Sequence, residues 1–103
     1  MRSSPRLEFT EEAESDFRAL LEYTLATWGE EQRDLYAARI MSSIHELLSH
    51  PQLGPVRDDL SPGLRNRRAG QHIIFYRVYE RSIRITRILH VKMDPAAHLD
   101  EPS

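Results

Sequence analysis

Thirteen arginines, five histidines and one lysine, Lys92, are the side chains of this chain with the most available chemistry. Cysteine is absent, which excludes disulfides, thiolate nucleophiles and cysteine metal sites. His45 and His50 stand five apart and point to different sides of a helix. His72 and His90 fall on strands that should be neighbours and could face each other, but no carboxylate recurs beside them at ligand spacing. The pattern predicts no metal site and no cofactor. Serines occur without a G-x-S-x-G elbow, and the four glycines all sit at turns, so no phosphate cradle is expected.

Metal-free RNA cleavage is the enzymatic chemistry these residues could support. It needs a base for the 2′-hydroxyl, an acid for the leaving oxygen and cations around the phosphate. Arg65, Arg67, Arg68, Arg77 and Arg87 could supply the cations, and His72 and His90 could exchange protons near neutral pH. The competing reading is that these arginines line a protein-docking face and that the histidines are hydrogen-bonded edge residues. Arginine's planar, permanently charged fork suits docking, whereas proton transfer usually employs lysine or histidine. A sequence pI near 6.2 also weighs against an RNA binder. The expectation is therefore no catalytic set; a nuclease would have to use Arg77, His90 and His72.

Charge is unevenly distributed. Residues 1–50 hold five Arg and ten acids, residues 57–92 hold eight Arg and one Lys against three acids, and the last eleven residues add three acids, for a net charge of −2. A basic second half could attract an acidic partner, or the two halves could neutralise each other across an internal interface.

These residues need elements to position them. The chain has 103 residues, enough for one domain with one core. The N-terminal stretch has no apolar run of a secretory signal, and the longest apolar stretch, Ile73–Tyr79, is interrupted by Arg77 and far too short to span a membrane. With no cysteine, a reducing cytoplasm is the expected location. Leu7-Glu8-Phe9 predicts a short strand. Thr10 reads as an N-cap for a helix from about Glu11 to Trp28, with Phe17, Leu20, Leu21, Leu25 and Trp28 on one apolar face. Gly29 is expected to end it as a left-handed cap. A second helix, from Glu30 to about Ser49, carries Tyr36, Ile40, Ile44, Leu47 and Leu48, and Pro51 stops it. Together they predict an antiparallel helical hairpin.

Residues 51–63 hold three Pro and two Gly and read as a loop anchored by Leu53, Val56 and Leu60. Strands follow at Leu64–Arg68, His72–Tyr79 and Ile83–His90, with a tight turn at Ala69-Gly70. The middle strand is apolar on both faces, which places it inside a sheet. The last alternates Ile83, Ile85, Arg87, Leu89 against Arg84, Thr86, Ile88, His90. Asp94-Pro95 could open a short final helix in a polar tail. The predicted fold is α+β, in the order β-α-α-β-β-β, with the helical hairpin on one face of a small, mainly antiparallel twisted sheet. An apolar groove between the helices, near Tyr23, Leu35, Ala37 and Met41, could accept an amphipathic helix.

Residues 63–94 carry Gly63-Leu64-Arg65, Ala69-Gly70-x-His72, Ile74-Phe75-Tyr76-Arg77-Val78 and Arg87-Ile88-Leu89-His90 followed by Met93-Asp94. With Trp28-Gly29 and the helix ending before Pro51, this series resembles the ParE toxins of the RelE/ParE superfamily. The resemblance covers roughly residues 7–95 of a single ParE-like toxin domain spanning 1–103, with a polar tail at 95–103. It implies the toxin of a type II toxin–antitoxin pair, bound by a ParD antitoxin with a ribbon-helix-helix DNA-binding part, so that DNA is contacted only through the antitoxin. It also implies inhibition of DNA gyrase by free toxin. In RelE-like relatives the same fold cuts mRNA on the ribosome; Arg77 lies where those enzymes keep a phosphate-binding Arg, and His90 lies near a C-terminal His or Tyr. Leu21, Tyr23, Leu35, Met41, Arg57, Arg65, Arg67, Arg77 and Arg87 are the expected antitoxin contacts. Arg65, Arg68, His90 and Met93 are the expected target contacts.

Overall fold

A computed structural model describes residues 5–99. Its elements run β1 (Arg6–Phe9), α1 (Glu11–Trp28), α2 (Glu30–Ser49), β2 (Arg65–Ala69), β3 (His72–Val78), β4 (Ser82–His90) and α3 (Pro95–His98). The sheet order is β1-β4-β3-β2, with β1 parallel to β4 and the other pairs antiparallel. This is the predicted α+β order, with the helical hairpin on one sheet face. The outermost residues of the predicted polar tail, 100–103, lie outside the described residues, while Leu99 packs inward.

Two apolar layers sandwich the sheet. On the helical face, Ala13, Leu20, Ile40, Ile44 and Leu47 meet Ile74, Tyr76, Ile83, Ile85 and Ile88. On the other face, Phe75, Leu89 and Leu64 are covered by Leu60, Ile73 and Leu99. β3 contributes to both layers, as its two-sided apolarity required. Tyr76 also pins the loop after α2: its hydroxyl donates to Pro51 O (2.8 Å) and accepts the Gly54 N–H (2.9 Å).

Thr10 caps α1 as expected. Its Oγ1 accepts from Ala13 N (3.1 Å) and donates to Thr86 O (2.8 Å), so one hydroxyl fixes the helix start to the sheet. Asp94 likewise caps α3 by accepting from Ala96 N.

Five local expectations are corrected. First, β4 does not alternate cleanly. Phe75 pairs with Arg87 while Tyr76 pairs with Ile85, so the strand carries one extra residue between them. The bulge turns Ile88 and His90 onto the helical face and Leu89 onto the other, and Thr86 Oγ1 bonds Phe75 O (3.1 Å) there. Second, the β2–β3 turn is Gly70-Gln71, since Ala69 pairs with His72. Gly70 has φ +60° and Gln71 a negative φ, the pattern of a two-residue II′ hairpin. Third, β2 starts at Arg65; Leu64 is buried as the last residue of the loop.

Fourth, Gly29 is not a left-handed cap. It has φ 93° and ψ 175°, a region open essentially to glycine, and serves as C-cap of α1 and N-cap of α2 at once. Fifth, the apolar series of α1 and of the 51–63 loop is only partly used. Leu25 and Trp28 project beyond the sheet, and Leu53 and Val56 are exposed, leaving Leu60 as the packed anchor.

Candidate functional site

The C-terminal half of α1, the start of α2, the start of β3 and the end of β4 border an open groove of about 1150 Å3. Tyr23 and Trp28, each 68% exposed, stand on its helical wall with Leu20 beneath them. Met93, Lys92, His72 and His90 form the other end. Such a mixture of exposed aromatics, aliphatic floor and a basic end, in a groove open to solvent, is the composition common to protein-docking surfaces.

His72 and His90 sit directly opposite each other in the β3–β4 ladder. Their rings meet edge to face, with centroids 5.2 Å apart. Tyr36 reaches down from α2: its hydroxyl accepts the Gln71 N–H (3.0 Å) and lies 2.6 Å from His72 Nδ1. The hydroxyl also reaches Ala69 O at 3.5 Å; when it donates to Nδ1, the His72 proton resides on Nε2. His90 Nδ1 accepts the Lys92 N–H (3.1 Å), with the same consequence. Burial, reinforced by His90 and partly opposed by Asp16, lowers His72 from 6.5 to about 4. The approach of Tyr36 also fixes the turn residue, because a Cβ at Gly70 would lie 2.7 Å from the Tyr36 ring.

The far wall is held by an ion pair. Asp16 takes Arg87 in a two-pronged contact (2.8 and 3.0 Å) and also accepts Ile88 N–H (2.9 Å). Arg87 in turn donates to His98 O (2.6 Å), tying α1, β4 and α3 together. Asp16 accordingly pushes the Arg87 guanidinium above its ordinary value.

Of the three residues a nuclease would have to use, His72 and His90 pair while Arg77 lies elsewhere. β3 alternates, so His72 and Arg77, five apart, project from opposite faces. Arg77 lines a second cleft of about 990 Å3, donating to Pro62 O and Ser61 Oγ (both 2.6 Å). Arg84 and Tyr79 stack in the same cleft, 4.9 Å from guanidinium to ring centroid. Among the described residues, no group of three or more His, Asp or Glu is placed to hold a metal ion.

The expected antitoxin contacts divide. Tyr23 lines the groove. Leu21 and Met41 pack against the core instead, and Leu35 is exposed away from the groove. Arg65 donates to Gly54 O (2.6 Å), Arg67 binds Glu46 (2.8 Å) and Ser43 O, and Arg57 binds Asp59 (2.8 Å). Of the expected target contacts, His90 and Met93 share the groove, whereas Arg65 and Arg68 lie on β2, Arg68 bonded to Gly70 O. Sequence reasoning missed Trp28, Tyr36 and Asp16 as groove residues. Trp28 had a usable signal, since a large aromatic beside Gly29 falls two turns beyond Leu20 and outruns a short sheet. Tyr36 and Asp16 had none, because each looked like an ordinary helix residue.

The model of the family described as "ParE toxin of type II toxin-antitoxin system, parDE" matches residues 7–95. Toxin ParE1 of Caulobacter vibrioides is 36% identical over 87 residues, 84% of this chain and 90% of the relative. Toxin ParE1 of Mycobacterium tuberculosis is 32% identical over 92 residues, 88% and 94% of the two chains. Among solved structures, a chain of the chromosomal ParDE system from P. aeruginosa superposes with a TM-score of 0.73 at 22% identity, over 84% of this chain and 96% of that one. A chain of the toxin–antitoxin complex RelBE2 from Mycobacterium tuberculosis gives 0.60 at 24% identity, over 85% and 99%. Both solved chains share the fold, and the family model over residues 7–95 together with relatives above 30% identity over most of the chain fixes the family: the chain belongs to the ParE toxin family of type II toxin–antitoxin systems.

Proposed function

We propose that this toxin is held inactive by a ParD-like antitoxin that seats an apolar helix face in the Tyr23–Trp28 groove, and that the free toxin inhibits DNA gyrase and stalls replication. The observation that carries the antitoxin half is the groove itself: two aromatic rings, each 68% exposed, over an aliphatic floor. Exposed aromatic pairs of this kind are typical anchors of a protein interface. The gyrase half rests on family membership. A non-enzymatic action accords with the separation of Arg77 from His72 and His90. His72, lowered to about 4, is also far from the neutral range in which a general base works best. The complex is then hetero-oligomeric and reaches DNA through its antitoxin.

Expression with and without the antitoxin tests this. The chain alone should arrest replication and give filamentous cells, and the antitoxin should restore growth. Tyr23→Glu with Trp28→Glu should weaken antitoxin binding by at least about 100-fold. Normal replication alongside cleavage of ribosome-bound transcripts would favour the RelE-like alternative.

A further inference from the structure

We propose that His72 and His90 form a carboxylate-recognising pair at the basic end of the groove, and that they anchor an acidic side chain of the helix that occupies it. This rests on the antitoxin reading and adds the chemistry of one contact to it. Both Nδ1 atoms are engaged, His72 by the Tyr36 hydroxyl and His90 by Lys92 N–H. Neither Nε2 has a partner among the described residues, and neither is a buried atom left unsatisfied. His90 therefore offers its Nε2–H, and His72 offers one as the imidazolium or in the tautomer whose Nδ1 accepts from Tyr36, on directly paired residues with rings 5.2 Å apart. A carboxylate has two oxygens to accept them.

The charged surroundings favour an anion there. Lys92 lines the same end. Asp16, on α1, is the acid facing the groove, and its charge is spent on Arg87 and Ile88 N–H. His98 contributes its carbonyl to Arg87, and Tyr36 orients His72 without adding charge. A metal ion fits poorly at His90, because coordination through Nε2 would require its Nδ1 to carry the proton, and that Nδ1 accepts the Lys92 N–H.

Recognition of this kind is linked to protons. A carboxylate beside His72 favours the imidazolium, so binding raises the His72 value and tightens as pH falls toward the range in which His72 titrates. The test is histidine-resolved NMR of the purified toxin, titrated at constant ionic strength with sodium acetate and, separately, with inorganic phosphate. Acetate should shift the His72 and His90 imidazoles together and raise His72 from about 4 by about one pH unit or more, leaving His45 and His50 unmoved. His90→Gln should abolish the response at His72. Tyr36→Phe, which releases the His72 tautomer, should weaken it even if the glutamine variant folds poorly. Equal shifts at all histidines, or no shift, would overturn the proposal. A stronger response to phosphate would overturn it in favour of a nucleic-acid or free-phosphate subsite. Each of these failures leaves the antitoxin reading intact, since that is judged separately from growth rescue.

Discussion

At the scale of single residues, two side chains decide how the groove is held. Asp16 satisfies Arg87 and a strand N–H together, and the two side chains are only 16% and 22% exposed. Asp16→Ala leaves a largely buried guanidinium without its counter-ion. It should cost about 3 kcal/mol in urea unfolding, far more than an exposed pair such as Arg57–Asp59. His72 has a different signature. Its folded-state value is lowered from 6.5 to about 4, so between these limits the unfolded chain binds more protons. Stability must then rise with pH across that window and fall as pH drops from about 6.5 to about 4. Because His72 is only half-buried, solvent screening reduces the effect to about 1–2 kcal/mol. Chemical denaturation at several pH values should show a shallower acid loss for His72→Gln than for the parent. Of these residue roles, the opposition of His72 and His90 was legible from strand adjacency. The Tyr36 contact was not, because the same 3.6-residue spacing that marks a core stripe also carries a hydroxyl that reaches past the core.

At the scale of elements, strand and helix identities followed from periodicity, while departures from ideal geometry did not. Alternation along Ile83–His90 satisfied a regular strand as read, but the real strand holds an extra residue opposite the Phe75–Tyr76 step. Both registers put an isoleucine or leucine on each face, so hydropathy alone could not separate them. The bulge turns His90 onto the same face as His72. The helical hairpin illustrates the opposite case. Gly29 was recognisable as a break, but its actual conformation, φ 93° with ψ 175°, joins two helices through one residue. A Cβ there would meet nothing within 4 Å, so any penalty is conformational rather than steric. Gly29→Ala should therefore lower stability by about 1–3 kcal/mol and leave the core packing unchanged. At Gly70 the Cβ would strike Tyr36, so Gly70→Ala should additionally perturb the His72 imidazole signals. Thermal melts combined with histidine NMR would distinguish the two variants.

At the scale of the whole molecule, the uneven charge resolves internally in part. Asp16, Glu46 and Glu8 of the acidic half hold Arg87, Arg67 and Arg84 of the basic half. The basic face anticipated from sequence is thus partly spent on folding, and the surface offered to partners is more aromatic than cationic. Complex formation with antitoxin should accordingly be less sensitive to salt than to loss of Tyr23 and Trp28, which titration calorimetry at low and high ionic strength would check. The proposed function requires no reaction centre, and Arg77 projects from the sheet face opposite to His72 and His90. The most direct measurement is supercoiling by purified DNA gyrase in the presence of this toxin, with and without its antitoxin. Inhibition that the antitoxin relieves is the predicted result. Unimpaired supercoiling, together with cleavage of ribosome-bound mRNA by the same preparation, would contradict it.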